Sequence, residues 1–286
     1  MGKIGLVLEG GGMRGAYTAG VLHWLLENEL HFDYVVGISS GALYSGMYVL
    51  NKKESLKSAA IEVAADSRNV GIKPLFNEGT LVGYEFLFNE VTTNLDYPLE
   101  QIDKIKGEIE IGVYDIAAEE TVWKNKYDIA KNPKYVQAAC TLPVAGKRVR
   151  IEGRDYMDGG ITTMIPITRS IDMGCDKHFV VTTKSKDYVR KPQGFWMKTV
   201  LNTVYRKFPR LIADFENRVN VYYEERKLID KLVDEKKAIY MYPSKETGIS
   251  RYQGSIEQFE ELFEIGRADC ENIKDEIISF YKSVKG

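Results

Sequence analysis

Twice within the first 50 residues an apolar run enters a tight, glycine-bearing turn and leaves it as a helix-forming stretch. Ile4–Leu8 reads as a buried strand and runs into Gly10-Gly11-Gly12-Met13-Arg14-Gly15, after which residues 16–26 predict a helix. Residues 34–36 predict a second strand, which meets Gly37-Ile38-Ser39-Ser40-Gly41 before a helix from Ala42 to about Leu50. Strand, turn and helix in repetition require parallel strands. The expected fold is therefore a three-layer α/β/α sandwich with a mostly parallel central sheet.

The remaining chain extends this pattern. Residues 54–65 predict a helix and residues 67–80 a loop. Residues 109–117 and 121–123 predict a strand pair joined at Glu119-Glu120, and residues 148–151 a short strand. Asn132-Pro133 opens a helix, Asn as cap and Pro at the first position, that stops near Thr141 ahead of Pro143. Residues 179–182 and 239–242 predict further strands. Residues 194–237 read as mostly helical with a break near Pro209, and Ser255 with Gln258 forms a capping box ahead of C-terminal helices. The 286 residues, 44% hydrophobic, suffice for one large core, so residues 1–286 are expected to form a single domain.

Charge and cysteine usage exclude several function classes. Lys+Arg 39 against Asp+Glu 41 leaves a net charge of -2, whereas phosphate-backbone binding needs a basic surplus, so no nucleic-acid partner is expected. Cys140, Cys175 and Cys270 are odd in number and widely spaced, as expected of small core residues in a reducing compartment. His23, His31 and His178 show no ligand spacing, and neither a metal nor a cofactor is implied. The first apolar stretch is too short for a signal peptide, and no run of about 18 apolar residues occurs. The expected location is cytoplasmic, with peripheral membrane contact left open.

Two turns carry chemistry. A glycine cluster between strand and helix lets backbone N–H groups converge at a helix start, where they bind negative charge. In acyl transfer that charge is the oxyanion of the tetrahedral intermediate. The same Gly10-x-Gly12-x-x-Gly15 spacing fits a dinucleotide fingerprint, but that wants an acid about 20 residues on, near the end of the second strand. Asp33 precedes that strand instead. Close helix–strand packing is a third reading of the same glycines. In the second turn, Gly37-x-Ser39-x-Gly41 places Ser39 on a strand-to-helix elbow, which lifts a hydroxyl clear of the sheet. Ser40 reads as a cap or packing residue. A third piece, Tyr156-Met157-Asp158-Gly159-Gly160, supplies a carboxylate, which burial beside Ser39 would make a better base than an exposed Asp.

In this order and at these spacings, the segments Glu9-Gly-Gly-Gly-Met-Arg-Gly, Gly37-Ile-Ser-Ser-Gly and Asp158-Gly-Gly resemble the patatin-like phospholipase family, as does the stretch Ala139-Cys-Thr-Leu-Pro143. The resemblance covers about residues 4–183. It implies the patatin-like fold, a Ser39–Asp158 pair working without histidine, and an oxyanion hole from the amides of Gly11, Gly12 and Met13. The substrates it implies are acyl esters of lipids, of phospholipase A, lysophospholipase or carboxylesterase type. Glu9 carries no role in this reading, and Arg14 either fixes the loop or makes a surface ion pair.

Three alternatives stand beside it. Ser39, Asp158 and His178 have the chain order of an α/β-hydrolase triad, although only 38 residues precede Ser39. A nucleotide-binding enzyme would use the glycine loop, and a catalytically silent lipid-binding protein would keep the fold alone. Near the C-terminal half, Arg190, Lys191, Lys198, Arg206, Lys207 and Arg210 occur among Phe195, Trp196, Met197, Tyr205 and Phe208 without an intervening acid. Such a segment suits an interfacial membrane contact over about residues 190–210, or an ordinary helix with its aromatics in the core. Residues 224–237 are charge-dense and read as a solvated helix face.

Overall fold

The computed structural model describes residues 2–190 and 194–285. Lys191, one of the six cations of the basic segment, lies outside them. Strand β1 (Ile4–Leu8) ends in a short 3-10 turn at Gly12–Arg14 and passes into α1 (Gly15–Glu27). Strand β2 (Tyr34–Gly37) is followed by α2 (Ser40–Val49) and α3 (Lys53–Ser58), which runs on as a π-helical turn over Ala59–Val63. Helices α4 (Ile72–Asn77) and α5 (Tyr84–Asn94) come next. Then follow β3 (Glu108–Asp115), β4 (Glu120–Asn125), α6 (Lys126–Lys131), α7 (Lys134–Cys140), β5 (Val149–Ile151) and β6 (Arg154–Asp158). The remainder comprises α8 (Ile167–Asp172), β7 (Lys177–Val181), α9 (Phe195–Val204), α10 (Pro209–Asp234), β8 (Ala238–Met241), α11 (Ile256–Asn272) and α12 (Lys274–Lys285).

Among the described residues the strands join in one sheet, with β3, β2, β1, β7 and β8 parallel in that order. Every residue of β1 is buried, as expected of a central parallel strand covered on both faces. Its alternate residues divide the core. Ile4, Leu6 and Leu8 belong with Tyr17, Leu22, Met47 and Phe263, from α1, α2 and α11. Val7, with Val36 and Val180, belongs to the opposite layer with Tyr222, Ile229 and Leu232 of α10. This is the expected three-layer sandwich.

Local signals account for several boundaries. Pro209 occupies the first turn of α10, where its missing N–H costs nothing. Ser255 and Gln258 close the capping box of α11, and Asn132 Oδ1 accepts from the Lys134 N–H at 3.3 Å. The expected loop over residues 67–80 is corrected by α4, a helix so short and so exposed that no apolar stripe marks it: Ile72 and Phe76 are 73% and 83% exposed. Helix α5 has no counterpart in the expectation. The solvated face over residues 224–237 needs revision as well, because Glu225, Ile229 and Leu232 face the sheet and are buried.

Candidate active site

One edge of β3 brings the two chemical segments together. Strand β4 pairs with residues 110–115 of β3, so β2, against residues 108–111, and β6, against residues 113–115, share the other edge. Strand β2 runs parallel to β3 and β6 antiparallel. Their C-terminal ends therefore meet head to head at Gly112, between the Gly37–Ile111 pair and the Asp158–Val113 pair. The contact is tight: a Cβ on Gly159 would lie 2.6 Å from the Gly112 backbone.

Past the end of β2 the chain turns sharply. Ser39 has φ 54° and ψ -127°, in a region that L-residues avoid and that marks strained functional positions. Crowding explains its neighbours, since a Cβ on Gly37 would lie 2.5 Å from the Gly41 carbonyl oxygen and one on Gly41 2.7 Å from that of Leu8. Asp158, at the end of β6, is fully buried. Its Oδ1 accepts the Gly160 N–H at 2.7 Å, whereas Oδ2 has no hydrogen-bond partner among the described residues. Burial raises its pKa above the ordinary carboxylate value, and the Gly160 amide, the Ser39 hydroxyl, Arg218 and Arg251 pull it back in part.

Ser39, Asp158, Gly10, Gly11, Gly12 and Gly160 line one cavity, which Arg218 and Arg251 also enter. The glycine-loop amides have unequal freedom. The Gly11 N–H donates to Ser40 Oγ at 3.0 Å and the Met13 N–H to the Arg251 carbonyl at 3.1 Å. The Gly12 N–H finds no acceptor among the described residues. Gly12 itself has φ +59°, and a Cβ there would lie 2.5 Å from the Arg251 carbonyl oxygen. Arg14 Nε donates to the Ile249 carbonyl at 3.0 Å, so this side chain ties the loop to the segment ahead of α11. Gly15 packs beneath the elbow, where a Cβ would lie 2.9 Å from Ser40 Oγ.

The Ala139–Pro143 stretch forms a wall. Cys140 Sγ donates to the Ser39 carbonyl at 3.3 Å, and the Thr141 carbonyl accepts the Asp158 N–H at 2.9 Å. A second, apolar cavity opens from Ser39 along Leu43, Tyr44, Val82, Leu87 and Cys140. No group of acidic, His and Cys side chains suited to a metal ion occurs among the described residues.

The histidines lie elsewhere. His178 pairs in register with Gly5, at the end of the sheet away from Ser39, and its Nδ1 bonds Ser170 Oγ at 2.9 Å. Burial pushes its pKa down to about 4. His23 packs edge-on against Phe263 beside Arg267, and His31 is exposed.

Two residues without a role in the sequence reading hold the site in place. Glu9 is fully buried, accepts the Thr183 N–H at 2.7 Å and pairs with Lys184. It thus clamps the start of the glycine loop to the end of β7. Glu225 of α10 accepts the Met164 N–H at 3.2 Å and the Ile165 N–H at 2.9 Å, and Met164 lines the Ser39 cavity. An acid directly after an all-apolar strand, and another in a row of buried α10 positions, are the signals that could have marked them.

Comparison with known proteins bears on this geometry. YjjU, an uncharacterized protein of Escherichia coli (strain K12), is 23% identical over 274 residues, covering 93% of this chain and 75% of YjjU. The lysophospholipase NTE1 of Kluyveromyces lactis is 24% identical over 284 residues, but this chain spans only 19% of its length. VipD from Legionella pneumophila shares the fold, with a TM-score of 0.52 at 13% identity over 99% of this chain and 67% of VipD. Residues 208–282 match a domain of unknown function, DUF6363. Residues 6–170, more than half of the sequence, match the patatin-like phospholipase family, and the chain belongs to it.

Proposed function

We propose that the chain hydrolyses acyl esters of lipids, with Ser39 as nucleophile, Asp158 as general base and the Gly12 N–H as the first oxyanion donor. One observation carries this reading: a serine on a strained elbow shares a cavity with a buried carboxylate whose Oδ2 is unpartnered. Asp158 accepts the Ser39 proton as Oγ attacks the ester carbonyl, and the Gly12 amide takes the developing negative charge. The intermediate collapses, the ester C–O bond breaks, and the alcohol leaves with the proton from Asp158. A water then gives its proton to Asp158 while its oxygen attacks the acyl-enzyme, and Ser39 recovers a proton as the fatty acid departs. The apolar cavity beside Ser39 suits the acyl chain. The lysophospholipase relatives support a lipid ester as the substrate class.

Fluorophosphonate labelling with mass mapping tests the nucleophile without knowledge of the substrate. Wild type is expected to carry the label on Ser39 and Ser39→Ala to carry none. Equal labelling of both would refute the assignment.

Membrane contact belongs to the same proposal. No helix among the described residues is long and apolar enough to cross a membrane. Helix α9 nevertheless presents Phe195 and Trp196 at 76% and 78% exposure, next to Lys198, while Tyr205 is buried. Co-sedimentation with anionic vesicles should weaken when Lys198, Arg206 and Lys207 become Glu, and again when Trp196 becomes Ser. Unchanged binding in both variants would remove this contact from the reading.

A further inference from the structure

The inward face of α10 repeats at Leu211, Phe215, Arg218, Tyr222, Glu225, Ile229 and Leu232, a stripe of buried positions three and four apart. Two ionisable side chains interrupt it. Glu225 is occupied by the backbone amides of Met164 and Ile165. Arg218 is not occupied in this way. It is 6% exposed, its Nε has no hydrogen-bond partner, and no carboxylate lies within 4 Å of it among the described residues. It stacks over the Phe215 ring at 4.5 Å.

The charges nearest Arg218 make its situation worse. Burial, then Arg251 and Arg190, push its pKa down to about 9, and Asp158 is the main group opposing them. Arg190 in turn has a buried Nη1 without a partner. Arg190, Arg218 and Arg251 line one open pocket with Leu142 and Tyr252, and Arg218 and Arg251 also line the Ser39 cavity. Arg190, Arg218 and Arg251, with Arg14, thus line a space that has no carboxylate on its wall among the described residues. The carboxylate opposing the burial of Arg218 is Asp158, in the Ser39 cavity, and the one opposing that of Arg190 is Glu9, which is paired with Lys184. An unpaired buried cation is costly, a burden that an anionic ligand relieves.

We propose that Arg190, Arg218 and Arg251 form a phosphoryl-binding site at the mouth of the Ser39 cavity, selecting lipids whose headgroup is a phosphate monoester. The proposal rests on Ser39 as the nucleophile. A phosphate monoester carries about -1.5 to -2 charges at pH 7, and among the described residues the pocket lining offers it guanidiniums and no carboxylate. Guanidinium forks bind its oxygens in pairs. A headgroup with a quaternary ammonium brings its own cation into this field and is disfavoured. The division of labour follows from the cavities, which adjoin at Leu142, Arg251 and Tyr252: the acyl chain lies along the apolar channel from Ser39, and the headgroup lies in the neighbouring pocket among the arginines. Arg218 and Arg251 both come from the segment matching the domain of unknown function, which gives that segment a role in substrate selection.

The test compares kcat/KM for oleoyl lysophosphatidate, oleoyl lysophosphatidylcholine and monooleoylglycerol in the full chain. Wild type should rank the phosphate monoester first. Its preference over monooleoylglycerol should fall at least about tenfold in Arg251→Gln and in Arg190→Gln, the scale of one charge-assisted hydrogen bond. Arg218→Lys, which keeps the charge and loses the fork, should lower the preference too, and Lys231→Gln on the outer face of α10 should leave it unchanged. Equal use of the choline lipid, or loss of rate without loss of preference, would overturn the proposal. A binding arm separates its failure from failure of the nucleophile. In Ser39→Ala, millimolar inorganic phosphate should raise Tm, and the shift should vanish when Arg251→Gln is added. A phosphate-dependent Tm shift without lipid preference would make the site one for free phosphate and would overturn the headgroup assignment.

Discussion

Asp158 shows how one residue's surroundings set its chemistry. A carboxylate exposed to water has a pKa near 3.9 and is a weak base at neutral pH. Here burial raises the value, while the Gly160 N–H, the Ser39 hydroxyl, Arg218 and Arg251 act against that rise. A base must be deprotonated to act, so kcat/KM should rise with pH through this raised value and level off above it. The acid limb is expected at a midpoint above the ordinary carboxylate value, measured with a soluble ester. Asp158→Asn should lower the plateau rate by about 10² to 10⁴, the usual contribution of a general base, and should lose the acid limb. A wild-type limb at or below the ordinary carboxylate value would show that Asp158 is not the titrating base. Ser39, Asp158 and the glycine loop were legible in the sequence because each belongs to a short segment whose turn geometry restricts its residues. Arg218 and Arg251 were not. They lie 33 positions apart, on a helix and on a loop, and only packing against the sheet brings them to Ser39.

Among the elements, legibility followed burial. Strands β1 and β2 are continuous apolar runs, so their type and ends were readable, whereas α4 buries little and left no periodic trace. Helix α10 carried both signals at once: a dense outer charge pattern concealed the row from Leu211 to Leu232 that faces the sheet. Glu225 in that row has its pKa raised to about 8, first by burial, against an ordinary value near 4.3. Between those two values the folded state binds the proton that the unfolded chain releases. Glu225 therefore adds stability below about pH 4, and this contribution is lost as pH rises towards 8, by on the order of a few kcal/mol. Glu225→Gln keeps an oxygen to accept from Met164 and Ile165 but cannot ionise. Its stability relative to wild type in urea unfolding should improve steadily from pH 5 to pH 8.5. Parallel curves for the two proteins would exclude Glu225 as the source.

At the scale of the whole molecule, the C-terminal segment is built into the catalytic half. Strand β8 extends the parallel sheet beyond β7, and the Arg251 carbonyl holds the Met13 amide of the glycine loop. Helix α11 lies directly on α1, the helix that leaves that loop. Their backbones approach so closely that a Cβ on Gly20 would lie 2.0 Å from the Phe263 carbonyl oxygen, and one on Gly266 2.4 Å from that of Tyr17. Neither atom can move without moving a helix. If residues 1–286 act as a single cooperative domain, damage at this crossing must reach the site. Gly266→Ala should cost about 1–3 kcal/mol through overpacking, which for a chain of this size lowers Tm by about 2–10 °C. Far-UV and near-UV circular dichroism should report the same transition, and fluorophosphonate labelling of Ser39 should disappear along it. Two separated transitions, with labelling retained through the first, would mean that the C-terminal segment unfolds independently of the sheet that carries Ser39.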